Sequence, residues 1–154
     1  MLFDPKHGQY LGTLEAELRR AQALTPGLMS EVMAQACGCF APHEAAAARG
    51  IRRLIEAGAC VDAVLALIAL ERPQWTLRRV LYEDGEWHCS LSRQPQVPIE
   101  LDEVAEGSHE ALPLAVLIAL LHARRDPAAC EHAATIVPPI NAGNGYAVSC
   151  DNFA

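Results

Sequence analysis

Apolar positions recur at helical spacing over roughly the first half of the chain and then switch to alternation. Leu14, Leu18 and Ala21 lie on one side of a turn pattern, with Glu15 and Glu17 where a helix dipole favours acid. A helix is therefore expected over about 14–24 with Thr13 as its cap. "TPGLMSEVMAQACG" repeats the grammar: Thr25 caps, Pro26 takes the first helical position, Leu28, Val32, Met33 and Ala36 form the stripe, and Gly38 stops it. Pro42 opens a third helix over about 43–57, with Ile51, Leu54 and Ile55 inward, Arg49, Arg52, Arg53 and Glu56 outward, and Gly58 at its end. Asp62 is the expected cap of "AVLALIALER", which must stop before Pro73. Being apolar nearly all round, that helix is expected at the centre of a bundle.

Past Pro73 the period drops to two. In "WTLRRVLYEDGEWHCSLSRQP" a two-residue loop, Asp84 and Gly85, would pair Val80 with Cys89 and Leu81 with His88, scattering apolar side chains over both faces. A three-residue loop, Glu83 to Gly85, instead pairs Leu81 with Trp87, Arg79 with Cys89 and Leu77 with Leu91. It gathers Trp75, Leu77, Leu81, Trp87, Cys89 and Leu91 on one side and places Gly85 where a left-handed residue is needed. This second register is the expected one. A hairpin alone is marginal, and "QVPIEL" (96–101) alternates as a third, edge strand able to hold Pro98. "ELDEVAEGSHE" is expected to turn, followed by a helix over about 110–125 with Pro113 near its start and Arg124 and Arg125 in its last turn. Asp126 and Pro127 begin a short helix to about 134, and a Pro-, Gly- and Asn-rich tail follows, with a short strand at 146–150.

The expected fold is thus a single α+β domain over 1–154: about four N-terminal helices, a three-stranded antiparallel meander (about 75–82, 86–93 and 96–101), then two helices and an irregular tail. Residues 1–12 and 136–154 are expected at its periphery. A chain of 154 residues, half of them hydrophobic, can bury a real core. The net charge of -7 disfavours nucleic acid and anionic membranes as main partners, because both reward dense positive charge. The order of helices before a hairpin raises a winged-helix arrangement, but "DAVLALIALE" offers nothing that reads base edges. The apolar runs at 63–70 and 111–121 are too short to span a bilayer. "MLFDPKHGQY" does not read as a signal peptide, so the six cysteines are expected as reduced thiols in the cytoplasm.

Two groups of residues carry candidate chemistry. Cys37, Cys39 and His43, joined by Cys130 and His132, offer thiolate and imidazole suited to zinc, although the spacing is not that of a common zinc knuckle. Zinc is the one cofactor this suggests. Trp87, His88, Cys89 and Ser90 adjoin in the hairpin, yet alternation sends Cys89 inward and His88 outward, so thiol and imidazole cannot act as a nucleophile and base pair. The outward face then carries Thr76, Arg78, Tyr82, His88, Ser90 and Ser92. Of these, Arg78, Tyr82, His88 and Ser90 suit a protein partner or a small anion. The chain holds no Gly-x-Ser-x-Gly, Cys-x-x-Cys or His-Glu-x-x-His pattern. His122 is expected as a partly buried core histidine and His109 as a solvated helix end, while "NAGNGY" reads as a turn. The expectation is a small non-catalytic cytosolic interaction or regulatory module, binding a protein partner or a second copy of itself through the outer hairpin face or the arginine face of helix 43–57. The alternative is a zinc- or thiol-dependent protein using Cys37, Cys39 and His43.

Overall fold

Four helices, a three-stranded meander and a closing helix follow one another in the computed structural model, which describes residues 5–36 and 45–125. The helices are α1 (Pro5–Arg20), α2 (Pro26–Ala36), α3 (Ala45–Glu56) and α4 (Cys60–Glu71), and α5 (Leu112–Arg125) closes the described chain. Between α4 and α5 lie β1 (Thr76–Glu83), β2 (Glu86–Ser92) and β3 (Val104–His109), in antiparallel order β1-β2-β3. The expected Gly38 stop, Pro42 start, helix from Asp126 and tail strand lie outside the described residues.

Local chemistry explains most helix ends. Thr25 Oγ1 accepts the Leu28 amide at 3.2 Å and starts α2. Gly58, at φ 80°, ends α3: the Ala59 amide bonds Leu54 O at 2.8 Å and the Gly58 amide bonds Ile55 O at 3.0 Å, the paired closure that a left-handed residue permits. Two caps differ from expectation. Thr13 lies inside α1, where its hydroxyl donates to the Gln9 carbonyl at 3.2 Å, because the helix already begins at Pro5. Residues expected at the periphery therefore supply Leu11 to the core. Asp62 sits in the first turn of α4, behind an N-cap at Ala59 that makes no side-chain bond.

The hairpin corrects the expected register at its tip and keeps it at its base. Asp84 (φ 53°) and Gly85 (φ 88°) both take left-handed backbone, the signature of a two-residue turn that matches strand twist. Tyr82 therefore pairs with Trp87, Leu81 with His88 and Val80 with Cys89. A bulge between Leu77 and Arg79 absorbs one residue, and Leu77 still faces Leu91. Leu81 is thereby turned away from the indoles and is exposed, while Trp75, Cys89 and Leu91 are buried and Trp87 is half-buried. The third strand also lies further on than expected. Residues 99–101 form a single 3-10 turn, and the strand is "VAEGSH".

The centre of the fold is α5, not α4. Leu114 to Leu121 have no exposed surface, since β2 and β3 cover one side of the helix and α1 and α4 the others. Each fully buried leucine contributes roughly 1.5–3 kcal/mol of transfer free energy. Gly107 of β3 lets this helix come close: a Cβ there would lie 2.4 Å from Ala115 O and 2.5 Å from Ala119 N. Arg124 bonds Glu71 at 3.1 Å and Arg125 bonds Glu15 at 2.7 Å, tying the end of α5 to α4 and α1.

Candidate functional site

Pairing across the sheet places Leu81, His88 and Ser108 in one row, and Arg79, Ser90 and Glu106 in the next. These six side chains line a concave cleft of about 550 Å³, which Arg19 of α1 and His122 of α5 also line. Ser90 is only 4% exposed, and its Oγ has no hydrogen-bond partner among the described residues. No base therefore reaches this hydroxyl, which sits between Arg79 and Glu106 without being activated by either.

Asp102 anchors the connection from β2 to β3 at the other end of the same face. Its carboxylate accepts from Arg78, from the Ser92 hydroxyl and from the Gln94 amide, the last at 3.0 Å, and Arg78 also donates to Val97 O at 3.2 Å. Burial pushes the Asp102 carboxyl up, but the bonds from Ser92, Gln94 and Arg78 outweigh it and hold the group below the usual carboxylate range. Ser92 is fully buried beneath this lock, so the outer face expected to be wet is dry at Ser90 and Ser92.

A second cluster closes the cleft beside α1. Glu15 accepts two bonds from Arg19, at 3.0 and 2.9 Å, pairs with Arg125 and faces His122 Nε2 at 3.1 Å. Burial raises the Glu15 carboxyl, yet the bonds from Arg19 and His122 and the charge of Arg125 bring it below its ordinary value. His122 Nδ1 meets the Glu106 carbonyl at 2.6 Å, so this half-buried histidine links α1, α5 and β3. His109, expected in solvent, is buried on the same side of β3 as Ala105 and Gly107, and its Nδ1 accepts the Ala111 amide at 2.9 Å just before α5.

The four expected binding residues are therefore separated. His88 and Ser90 share the cleft face, with His88 exposed. Arg78 is committed to Asp102. Tyr82 falls on the opposite face, its ring centroid 4.9 Å from that of Trp87. Arg79, Glu106 and Ser108, which the sequence reading passed over, take their place in the cleft. Cys37, Cys39 and His43, with Cys130 and His132, lie outside the described residues. Among the described residues no group of three His, Cys, Asp or Glu gathers to hold a metal ion. Cys89 is 3% exposed, and burial pushes its thiol up to about 11, which keeps it protonated and a poor nucleophile at neutral pH. It also lies on the face opposite His88.

The edge of β1 is the other feature without a partner among the described residues. β1 lies at one side of the sheet, and Val80, Leu81 and Tyr82 are 41%, 37% and 57% exposed. Such an edge presents unpaired backbone groups, which proteins usually shield with charge or bulges. Here the bulge at Arg78 protects the base of the strand and leaves the outer half open. No family model, curated protein or solved structure matches this chain. No helix among the described residues is long and apolar enough to cross a membrane.

Proposed function

We propose that this protein is a small non-catalytic interaction or regulatory module that works in the cytoplasm and engages a protein through the outer half of β1. The observation that carries the reading is the run Val80, Leu81 and Tyr82: three consecutive apolar residues, all exposed, on a strand with one hydrogen-bonding edge free among the described residues. An added strand would satisfy that edge with main-chain bonds, while side chains on both faces supply selectivity. Among the described residues the polar cleft beside it holds a hydroxyl without a hydrogen-bond partner and no base in reach of it, which suits contact better than bond-breaking. The cytoplasmic assignment rests on Cys60 and Cys89, both free thiols.

Leu81→Glu tests this reading. Leu81 is exposed and contributes nothing to the buried core, so the variant should keep its circular dichroism and its urea midpoint. Affinity capture of partner protein by the full chain should fall to background. Capture at the wild-type level would refute the assignment to β1.

A further inference from the structure

Resting on the reading of β1 as the contact edge, we infer that its partner is a second copy of this chain, joined β1 to β1 in antiparallel register about Leu81. The turn closes on the pair Glu83 and Glu86, which is therefore hydrogen bonded. By alternation Leu81 with His88 and Arg79 with Ser90 are hydrogen-bonded pairs too. Val80 and Tyr82 consequently turn their backbone N–H and C=O outward, to the free edge.

A second β1 can bond this edge only where Val80 or Tyr82 meets Val80 or Tyr82. If Val80 faces Val80, Leu81 is set against Arg79, and Tyr82 is carried onto the bulge at Arg78. If Tyr82 faces Tyr82, Leu81 is set against Glu83, and Val80 is carried onto Asp84 in the turn. If Val80 faces Tyr82, every position matches: Leu81 meets Leu81, a β-branched side chain meets an aromatic ring, and Arg79 meets Glu83 at both ends of the contact. Alternation keeps Arg79, Leu81 and Glu83 on one face and Val80 and Tyr82 on the other, so these pairs are true cross-strand neighbours.

The segment "RVLYE" is thus complementary to itself when reversed. Neither Arg79 nor Glu83 makes an ion pair among the described residues, so both are available. Strands that set like charges against Arg79 or Glu83 are disfavoured, so the two charges select against mismatched pairing. The product is a continuous sheet through both copies, with the two-fold axis at Leu81. The contact is short, and the dimer is accordingly a weak, concentration-dependent one.

Sedimentation velocity on the full chain tests the register. The wild type should dimerise with rising concentration. R79E alone and E83R alone each place like charges opposite at both ends and should raise the dissociation constant by about tenfold or more. Mixing R79E with E83R should restore association as a heterodimer, and the double variant R79E/E83R should restore the homodimer. Val80→Pro removes an amide that faces the free edge, so it should abolish association while the circular dichroism stays unchanged. Single charge variants that associate like the wild type, or a wild type that stays monomeric at millimolar concentration, overturn the second-copy inference. A monomeric wild type whose capture of another protein is still lost with Leu81→Glu leaves the β1 edge standing. Capture unaffected by Leu81→Glu removes the edge as well.

Discussion

Strands β1 and β3 both flank β2, yet β3 lies under α5 with Ala105, Gly107 and His109 buried, whereas β1 presents Val80, Leu81 and Tyr82 to solvent. By composition the reverse would be expected. "TLRRVLYE" is rich in residues that favour strands, and "VAEGSH" is poor in them. The difference shows that in this fold strand preference and burial are set by separate demands. β3 is chosen by what α5 needs, a flat stretch of small residues that a helix can approach, and its apolar surface is supplied by the helix. β1 forms its strand locally, through the Asp84–Gly85 turn, and leaves Val80, Leu81 and Tyr82 exposed.

The strongest way to break the comparison is to deny α5 its close approach. Gly107→Val would force a side chain onto the backbone at Ala115 and Ala119, atoms that cannot rotate aside. Either the helix or the strand must shift, and overpacking of this kind costs typically ~1–3 kcal/mol and occasionally more. At a site where two backbones meet, the loss should lie at or above the top of that range, with a large drop in the urea midpoint. A midpoint within ~0.5 kcal/mol of wild type would show that β3 is not held in the way described.

The next effect is sharper in pH than in size. Asp102 has a folded pKa below its unfolded value, so its contribution is complete above the unfolded carboxylate range near ~4 and is lost as pH falls through the depressed folded value. Glu15 acts in the same direction from the α1 side. Asp102→Asn should therefore be less stable than wild type at neutral pH and should lose less on acidification, since only Glu15 of this pair still titrates. Urea midpoints measured from about pH 6 down to about pH 2 test this. Parallel curves for the two proteins would mean that the Arg78, Ser92 and Gln94 bonds do not distinguish the charged carboxylate in solution.

The described helices and the order of helices before a three-stranded meander were legible in the chain through local periods and caps, while the place of the third strand was not. Ile51 and Ile55 against Arg52 and Arg53, the Thr25 cap and the Gly58 stop all behave as their spacing implies. The hairpin was half legible. Alternation and the Asp-Gly turn make incompatible demands on register, and the bulge at Arg78 satisfies both, but nothing in the local pattern announces an extra residue. The turn decides the cleft: the two-residue loop sets Arg79 beside Ser90 and Glu106, whereas a three-residue loop would set Arg79 against Cys89 and the cleft would not be seen. Asp84–Gly85, the stronger short-range signal, pointed to the observed tip pairs. β3 was hidden for a different reason: its glycine is a mark of close packing only once the helix that packs on it is known. Its position was still hinted at, because a glycine within a candidate strand signals close approach of another backbone.

The smallest effect carries an unusual sign. Ser90 is buried in the row between Arg79 and Glu106 with a hydroxyl that bonds to nothing among the described residues. Burying such a group costs desolvation with no return, whereas an alanine there keeps nearly the same shape and buries no polar atom. Ser90→Ala should therefore raise stability by about 1 kcal/mol, with the urea midpoint moving up and the slope unchanged. The same change on Ser92, whose hydroxyl donates to Asp102, should lower stability, because it removes a bond to a charged acceptor and leaves the carboxylate short of a donor. A fall for Ser90→Ala as well would mean that the Ser90 hydroxyl is satisfied in solution by water held in the cleft, and the face would then be wetter than the packing around Ser90 implies.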